Sequence, residues 1–434
     1  MENLGLLSGN SHAIICEMAE KPADIKADIR ADKTAALSDR QEPVSMMEPL
    51  LLSEGSRVRR ELTDLAVELA ARSAGFRRSL PQGIIAALAN LVRSMNCYYS
   101  NLIEGHETHP IDIERALNND YSADRDKRNL QLEAKAHFEV QRWIDGGGLR
   151  GRATTRVGIC EVHRRFGELL PDELLWLENP KSGERIKMVP GELRRRDVKV
   201  GRHIPISPGA LPRFLERFEH VYGNLGRTDA ILATAAAHHR LAWIHPFLDG
   251  NGRVARLMSH AMLLQALDTG AIWSVARGLA RKVGDYKRGL AKCDLLRRTD
   301  RDGRGHLSEE ALARFTRFFL EICLDQISFM EALVEPERLR TRILRWAEEE
   351  VRLGLLPAKA ASVLEALLYR GELPRGAAGP ALGITDRHAR RIVAALMAKN
   401  VLVSESSRAP LRLAFPAALA SRWMPGLFPE KLDS

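Results

Sequence analysis

Apolar residues recur at helical spacing along most of the chain from Arg57 to Glu349, and two interruptions break the pattern. Leu62, Leu65 and Leu69 share one helical face, as do Ile84, Ile85, Leu88, Leu91, Val92 and Met95, and a charged helix is expected from Asp124 to Trp143. Gly146, Gly147 and Gly148 close that block, and a second begins near Thr154. The first interruption runs from Glu178 to Ser207. Asn179-Pro180-Lys181-Ser182-Gly183 marks a turn there, and alternation in Arg185 to Val189 and in Val198 to Val200 predicts two short strands forming a small hairpin. Helices resume at Pro212, and the second interruption is a loop at His245 between two of them. Such a chain is expected to be mainly α.

At 434 residues, 45% hydrophobic and 28% charged, the chain exceeds one ordinary core and has apolar surface for two or three. Residues 1–45 mix charge, Ala and Ser without periodicity and read as a flexible arm. Residues 46–150 form a helical N-terminal module and 151–350 a helical domain holding the His245 loop. Residues 351–434 have another layout: a helix at Ala360 to Tyr369, a small-residue segment at Gly376 to Ile384, and a basic helix at Thr385 to Lys399. A β-rich tail, Val401 to Phe415, follows with a turn at Ser406 to Pro410. That order predicts a winged helix-turn-helix. Arg387, His388, Arg390 and Arg391 suit a major groove while Ile392, Val393, Leu396 and Met397 serve the core. DNA binding and protein contact both remain open for this unit.

The net charge of +9 fits an anionic partner, whether nucleotide phosphate, nucleic acid or an acidic protein, and equally a solvated Arg-rich surface. Cys16, Cys97, Cys160, Cys293 and Cys323 contain no C-x-x-C pair and read as free thiols in a reducing compartment. No leader pattern and no long apolar span is visible, so a cytoplasmic location without membrane contact is expected. The oligomeric state, homo-oligomer included, is left open.

Chemistry concentrates between His245 and Arg256. Pro246 and then Asp249-Gly250-Asn251-Gly252 resist helix, whereas Arg253-Val254-Ala255-Arg256 can begin one. Unpaired N–H groups and the dipole at such a junction form a cradle for phosphate. Arg253 and Arg256, three apart in the first turn, are unfavourable to that dipole unless an anion is present. Asp249 supplies a hard carboxylate suited to one coordination position of Mg²⁺, and His245 is a side chain able to accept a proton near neutrality.

The segment resembles the signature H-x-F-x-(D/E)-G-N-G-R-x-x-R of the Fic (Fido) family, position by position. The resemblance implies a Fic helical core with a small β-hairpin flap, and a protein adenylyltransferase moving AMP from ATP to a hydroxyl of a protein target or of itself. It implies His245 as base, Asp249 on Mg²⁺, Asn251 and the Gly250 to Gly252 backbone on the α- and β-phosphates, Arg253 on the β-phosphate and Arg256 on the γ-phosphate. Glycine at Gly252, where phosphorylating relatives have Lys, favours adenylyl transfer.

Three further segments are similar to the family's. Gly191 to His203, with Gly191 and Arg194, resembles its target-registering flap, although the arginines there also read as edge charges. Tyr286 matches a tyrosine of the nucleotide site and equally reads as a tyrosine buried between helices. Ser100 and Glu104, in Ser100-Asn101-Leu102-Ile103-Glu104-Gly105, resemble an inhibitory helix, which implies that Glu104 pairs with Arg256 and keeps resting activity low.

Asp300 to Glu309 reads as a turn rather than a calcium loop, because the first ligand position would be Arg298. His238 and His239 are adjacent and point apart, so no metal beyond Mg²⁺ is expected. The alternative of another class is a DNA-binding regulator whose Fic domain senses nucleotide.

Overall fold

A computed structural model describes residues 37–178 and 183–428. The chain runs α1 (Arg59–Arg78), α2 (Gln82–Ile103), α3 (Pro110–Leu117), α4 (Arg125–Asp145), α5 (Arg156–Glu168), β1 (Trp176–Glu178) and β2 (Arg185–Lys187). It continues through α6 (Leu211–Tyr222), α7 (Arg227–Ile244), α8 (Asn251–Ala266), α9 (Ala276–Arg281), α10 (Val283–Cys293), α11 (Glu309–Leu333) and α12 (Pro336–Arg352). It ends with α13 (Ala360–Arg370), β3 (Glu372–Leu373), α14 (Ala378–Leu382), α15 (Asp386–Ala398), β4 (Leu402–Val403), β5 (Leu411–Leu413) and α16 (Ala420–Trp423).

The core is built around α7. That helix has no polar face: Leu232, Ala233, Ala235, Ala236, Ala237, Leu241 and Ile244 are all buried, so it must be covered on every side. α8 packs along it most closely, and α1, α6 and α11 enclose it. Its run of alanines lets these neighbours approach without side chains between the axes.

α2 is buried nearly as completely, lying against α4, α9 and the strand β5. A Cβ on Gly83 in its first turn would lie 1.9 Å from the carbonyl oxygen of Gly371, so only glycine allows that crossing. Near its other end the Tyr99 hydroxyl donates to the Leu427 carbonyl at 2.8 Å. The last described residues thus fasten α2.

The hairpin differs from the one expected. β2 pairs antiparallel with β1, Leu177 opposite Ile186, while Val200 only bridges to His203 across a turn in which Gly201 has φ +59°. A strand just before the turn closes a shorter loop than Val198 to Val200 would. Part of that turn, residues 179–182, lies outside the described residues.

Residues 1–36 of the expected arm also lie outside the described residues, but residues 37–45 are held in place. Arg213 takes Asp39 through two bonds of 2.6 and 2.8 Å. Glu42 accepts from the Ser207 amide at 2.8 Å and hydroxyl at 2.6 Å. Charges that read as solvated in the sequence anchor this stretch.

The C-terminal unit carries a three-stranded antiparallel sheet in the order β3-β5-β4, with α13 and α15 against it. Asp302 accepts from the Ser308 hydroxyl at 2.9 Å and the Glu310 amide at 2.8 Å, which makes the Asp300 segment a brace for the start of α11. No described helix is long and apolar enough to cross a membrane.

Candidate active site

α7 stops because His245 turns left-handed, at φ 52° and ψ 63°. Such a backbone is uncommon outside glycine and needs support. Arg194 supplies it: its backbone N–H donates to Pro246 O at 2.9 Å and its Nε to His245 O at 2.8 Å. Nη1 and Nη2 donate to the carbonyls of Arg196 and Ile206 at 2.9 and 2.5 Å. Arg194 is 1% exposed, so it is an internal bracket, not an edge charge or a residue facing an incoming segment.

Asn251, the first residue of α8, closes the loop from the other side. Its Oδ1 accepts from the Phe247 amide at 3.0 Å and its Nδ2 donates to Phe247 O at 2.9 Å. The side chain is therefore braced against the turn, and Asn251 has its backbone N–H and one remaining Nδ2 hydrogen to offer an anion. Gly250 precedes it at φ 76°, a conformation that glycine adopts freely.

Burial pushes the half-buried His245 imidazole down to about 3, and the Arg194 guanidinium acts in the same direction. The ring is therefore neutral at physiological pH, the form a general base needs, while the same burial weakens it as a base. Burial raises the Asp249 carboxyl, although Arg253 opposes it. Asp249 is a hard oxygen donor without a second and third ligand: among the described residues no group of three metal-ligating side chains occurs. These residues fit Mg²⁺ only as an ion whose shell is completed by phosphate and water.

Arg253 and Arg256 occupy the first turn of α8 and are 7% and 5% exposed, so both cations must be answered by anions. Arg256 donates from Nε to Ser100 Oγ at 2.9 Å and from Nη2 to Ser100 O at 3.4 Å, and Nη2 also meets Glu104 Oε1. A Cβ on Gly252 would lie 2.6 Å from that carboxylate oxygen, so the glycine makes room for it. Burial raises the Glu104 carboxyl, but Arg256 and Arg253 outweigh it and hold it below the usual range.

The second arginine contact is one that sequence reading missed. Arg253 Nη2 donates to Glu133 Oε2 at 2.7 Å, and His106 Nδ1 lies 3.2 Å from the same oxygen. Glu133 lies at the margin of the buried stripe of α4, beside Gln131, Ala134, His137, Phe138 and Gln141. In a helix so charged, nothing local marks it off from solvated neighbours. Arg253 Nε is buried without a hydrogen-bond partner among the described residues, so one N–H of this guanidinium is unanswered.

Tyr286 is 4% exposed, and its Oη is 2.7 Å from His238 Nε2. Ser259 Oγ donates to Ala255 O at 2.9 Å, so His238 Nδ1 is the donor to Ser259 at 2.8 Å and the Tyr286 hydroxyl donates to Nε2. Tyr286 is thus a buried tyrosine between helices that also reaches the nucleotide-site arginine, since its hydroxyl bonds Arg256, and both readings stay open. Gly191, at φ 82°, donates its N–H to His163 Nδ1 at 2.8 Å beneath the loop.

Residues 154–263 match the Fic/DOC family model. The chain is 30% identical over 172 residues to the protein adenylyltransferase Fic of Drosophila grimshawi, 39% of this chain and 32% of that protein. It is 28% identical over 248 residues to the same-named protein of Culex quinquefasciatus, 55% and 43% respectively. The aligned part thus spans about a third to under half of the length of these relatives. A Fic family protein from Desulfovibrio desulfuricans G20 aligns at TM-score 0.48 and 17% identity, over 84% of this chain and 98% of that one.

Proposed function

The chain carries a domain of the Fic/DOC family at residues 154–263, and from that premise we propose that it is a protein adenylyltransferase that transfers AMP from ATP to a hydroxyl of a target protein or of itself. The observation that carries this reading is the neutral His245 imidazole one loop away from two buried arginines at a helix N-terminus. A base for a hydroxyl and a positive seat for a polyphosphate stand together.

In this reading the His245 ring takes the proton of the target hydroxyl. The oxygen attacks the α-phosphorus of ATP, the bond to the β-phosphate oxygen breaks, and pyrophosphate leaves. Arg253 and Arg256 take up the negative charge that develops on the leaving group, and the backbone N–H groups at Asn251 and Gly252 orient the phosphates. Asp249 would hold Mg²⁺, which neutralises phosphate charge when bound.

Resting activity is low, because Glu104 and Ser100 hold Arg256 away from the γ-phosphate. The remaining elements have narrower roles. Gly191 and Arg194 support the site from the flap side, with targets paired along the exposed edge nearby. Residues 46–150 act as the inhibitory module, residues 151–350 as the catalytic unit and residues 351–434 as a winged helix.

That last reading is supported by the sheet order and by α15, where Arg387, Arg390 and Arg391 are exposed and Ile392, Val393 and Leu396 buried. Its exposed arginines suit DNA or an anionic protein surface as partner, and both stay open. Free Cys97, Cys160, Cys293 and Cys323 fit a reducing, cytoplasmic setting.

ATP labelled at the α- or the γ-phosphate separates the reactions. Protein-bound label from α-labelled ATP alone is expected, whereas label from the γ-position would mean phosphoryl transfer. DNA retention without label transfer, with Glu104→Gly included, would favour a DNA-binding nucleotide sensor.

A further inference from the structure

His163 belongs to the buried face of α5 with Ile159, Val162 and Phe166, and its spacing alone marks it as a core residue. Its surroundings are more particular. The imidazole lies flat on the Phe247 ring, centroids 3.9 Å apart and planes 1° from parallel. Nδ1 accepts the Gly191 N–H at 2.8 Å, which leaves the ring hydrogen on Nε2. Burial pushes the ring down to about 4, with the Asp249 backbone acting in the opposite direction, so this neutral tautomer persists at physiological pH.

Nε2 is buried and no described group meets it at full hydrogen-bond geometry, although the Asp249 backbone is already near enough to act on the ring. It faces the phosphate loop: a Cβ on Gly250 would lie 3.6 Å from His163 Cδ2 and 3.8 Å from Nε2. A buried donor without a full partner costs about 1–3 kcal/mol; a phenylalanine would keep the stack on Phe247 and remove that donor, but would leave the Gly191 N–H without its acceptor.

We infer that His163 is the positioning residue of the phosphate cradle. Its Nε2–H donates to the backbone oxygen of Asp249 when the loop closes on a nucleoside polyphosphate, which fixes the Asp249–Gly250 peptide. The same ring ties this loop to the flap through Gly191. Hydrogen bonds of this kind are often long before ligand arrives and tighten on binding. The inference rests on the proposed nucleotide site and does not require that AMP be transferred.

The test is calorimetric titration of metal-free ADP into the full chain carrying Glu104→Gly, alone and with His163→Phe or His163→Gln. Phenylalanine keeps the stack and glutamine restores a donor near the Nε2 position. His163→Phe is expected to weaken ADP binding about tenfold at unchanged stoichiometry, and His163→Gln to recover it to within about threefold. For ATP turnover the same pattern is expected in KM more than in kcat.

A purely structural ring would lower binding stoichiometry and kcat together and leave the ADP Kd and KM alone, and that result would overturn the inference. So would unfolding of both variants, because the ring would then serve the core. If no variant transfers AMP, the ADP titration still decides the role of His163, and only the adenylyl-transfer reading falls.

Discussion

Glu104 closes on Arg256 across 152 positions of sequence, and Ser100, one turn earlier in α2, grips the same guanidinium. The contact joins the end of one buried helix to the first turn of another. α2 is itself fastened through Tyr99 to the Leu427 carbonyl, which makes its end a firm platform for the lock.

Ser100→Ala removes the hydroxyl that accepts from Arg256 Nε. One such bond is worth about 1 kcal/mol, so basal self-adenylylation is expected to rise about fivefold. The initial rate with α-labelled ATP checks this, and an unchanged rate would assign the restraint to Glu104 alone.

Glu133→Gln keeps the shape of the side chain and removes the charge that holds Arg253. ADP is expected to bind about fivefold more tightly, the equivalent of about 1 kcal/mol. Equilibrium dialysis measures it. Weaker binding would mean that Glu133 orients Arg253 for phosphate instead of competing with it.

Arg194→Met strips donors from the carbonyls of His245, Arg196 and Ile206. A loss of about 3 kcal/mol or more in stability is expected, together with loss of transfer. Arg194→Lys should recover only part of both, since an ammonium cannot span the three acceptors. Thermal melting read beside transfer activity tests the pair.

Acid should destabilise the fold early. Burial is the largest cause depressing His137 and His238 to about 3 and His163 and His239 to about 4. Between about pH 6.5 and those values the unfolded chain binds more protons than the folded one, so stability rises with pH and is lost on acidification through that window. At about pH 5.5 each group costs about 1.3 kcal/mol relative to neutral pH, or about 5 kcal/mol for the four. Urea midpoints at pH 7.5 and 5.5 measure the loss, and equal midpoints would contradict it.

Much of this was legible because it is local. The His245 to Arg256 loop carries its own turn chemistry, and the α2 ending at Glu104 and Gly105 can be read from helical spacing and a glycine. What sequence reading missed depends on distant partners. Glu133 is distinguished from other helical charges only by Arg253, and Arg194 from other flap arginines only by the carbonyls of His245 and Ile206. The hairpin was misplaced because Val198 to Val200 has strand-like alternation but a nearer segment, Trp176 to Glu178, takes the pairing. The brace that Asn251 makes to Phe247, beside the phosphate role the resemblance implies, is also a contact of the folded loop and not of the sequence pattern.

In the proposed reaction His245 is the base and the chain's own Glu104 holds the γ-phosphate seat. Intact-mass spectrometry of the full chain incubated with ATP and Mg²⁺, for wild type, Glu104→Gly and Glu104→Gly/His245→Ala, tests it most directly. Little adduct is expected in the first, a mass gain of one or more AMP units in the second and none in the third. No adduct in Glu104→Gly, or the same adduct when His245 is also replaced, would contradict it.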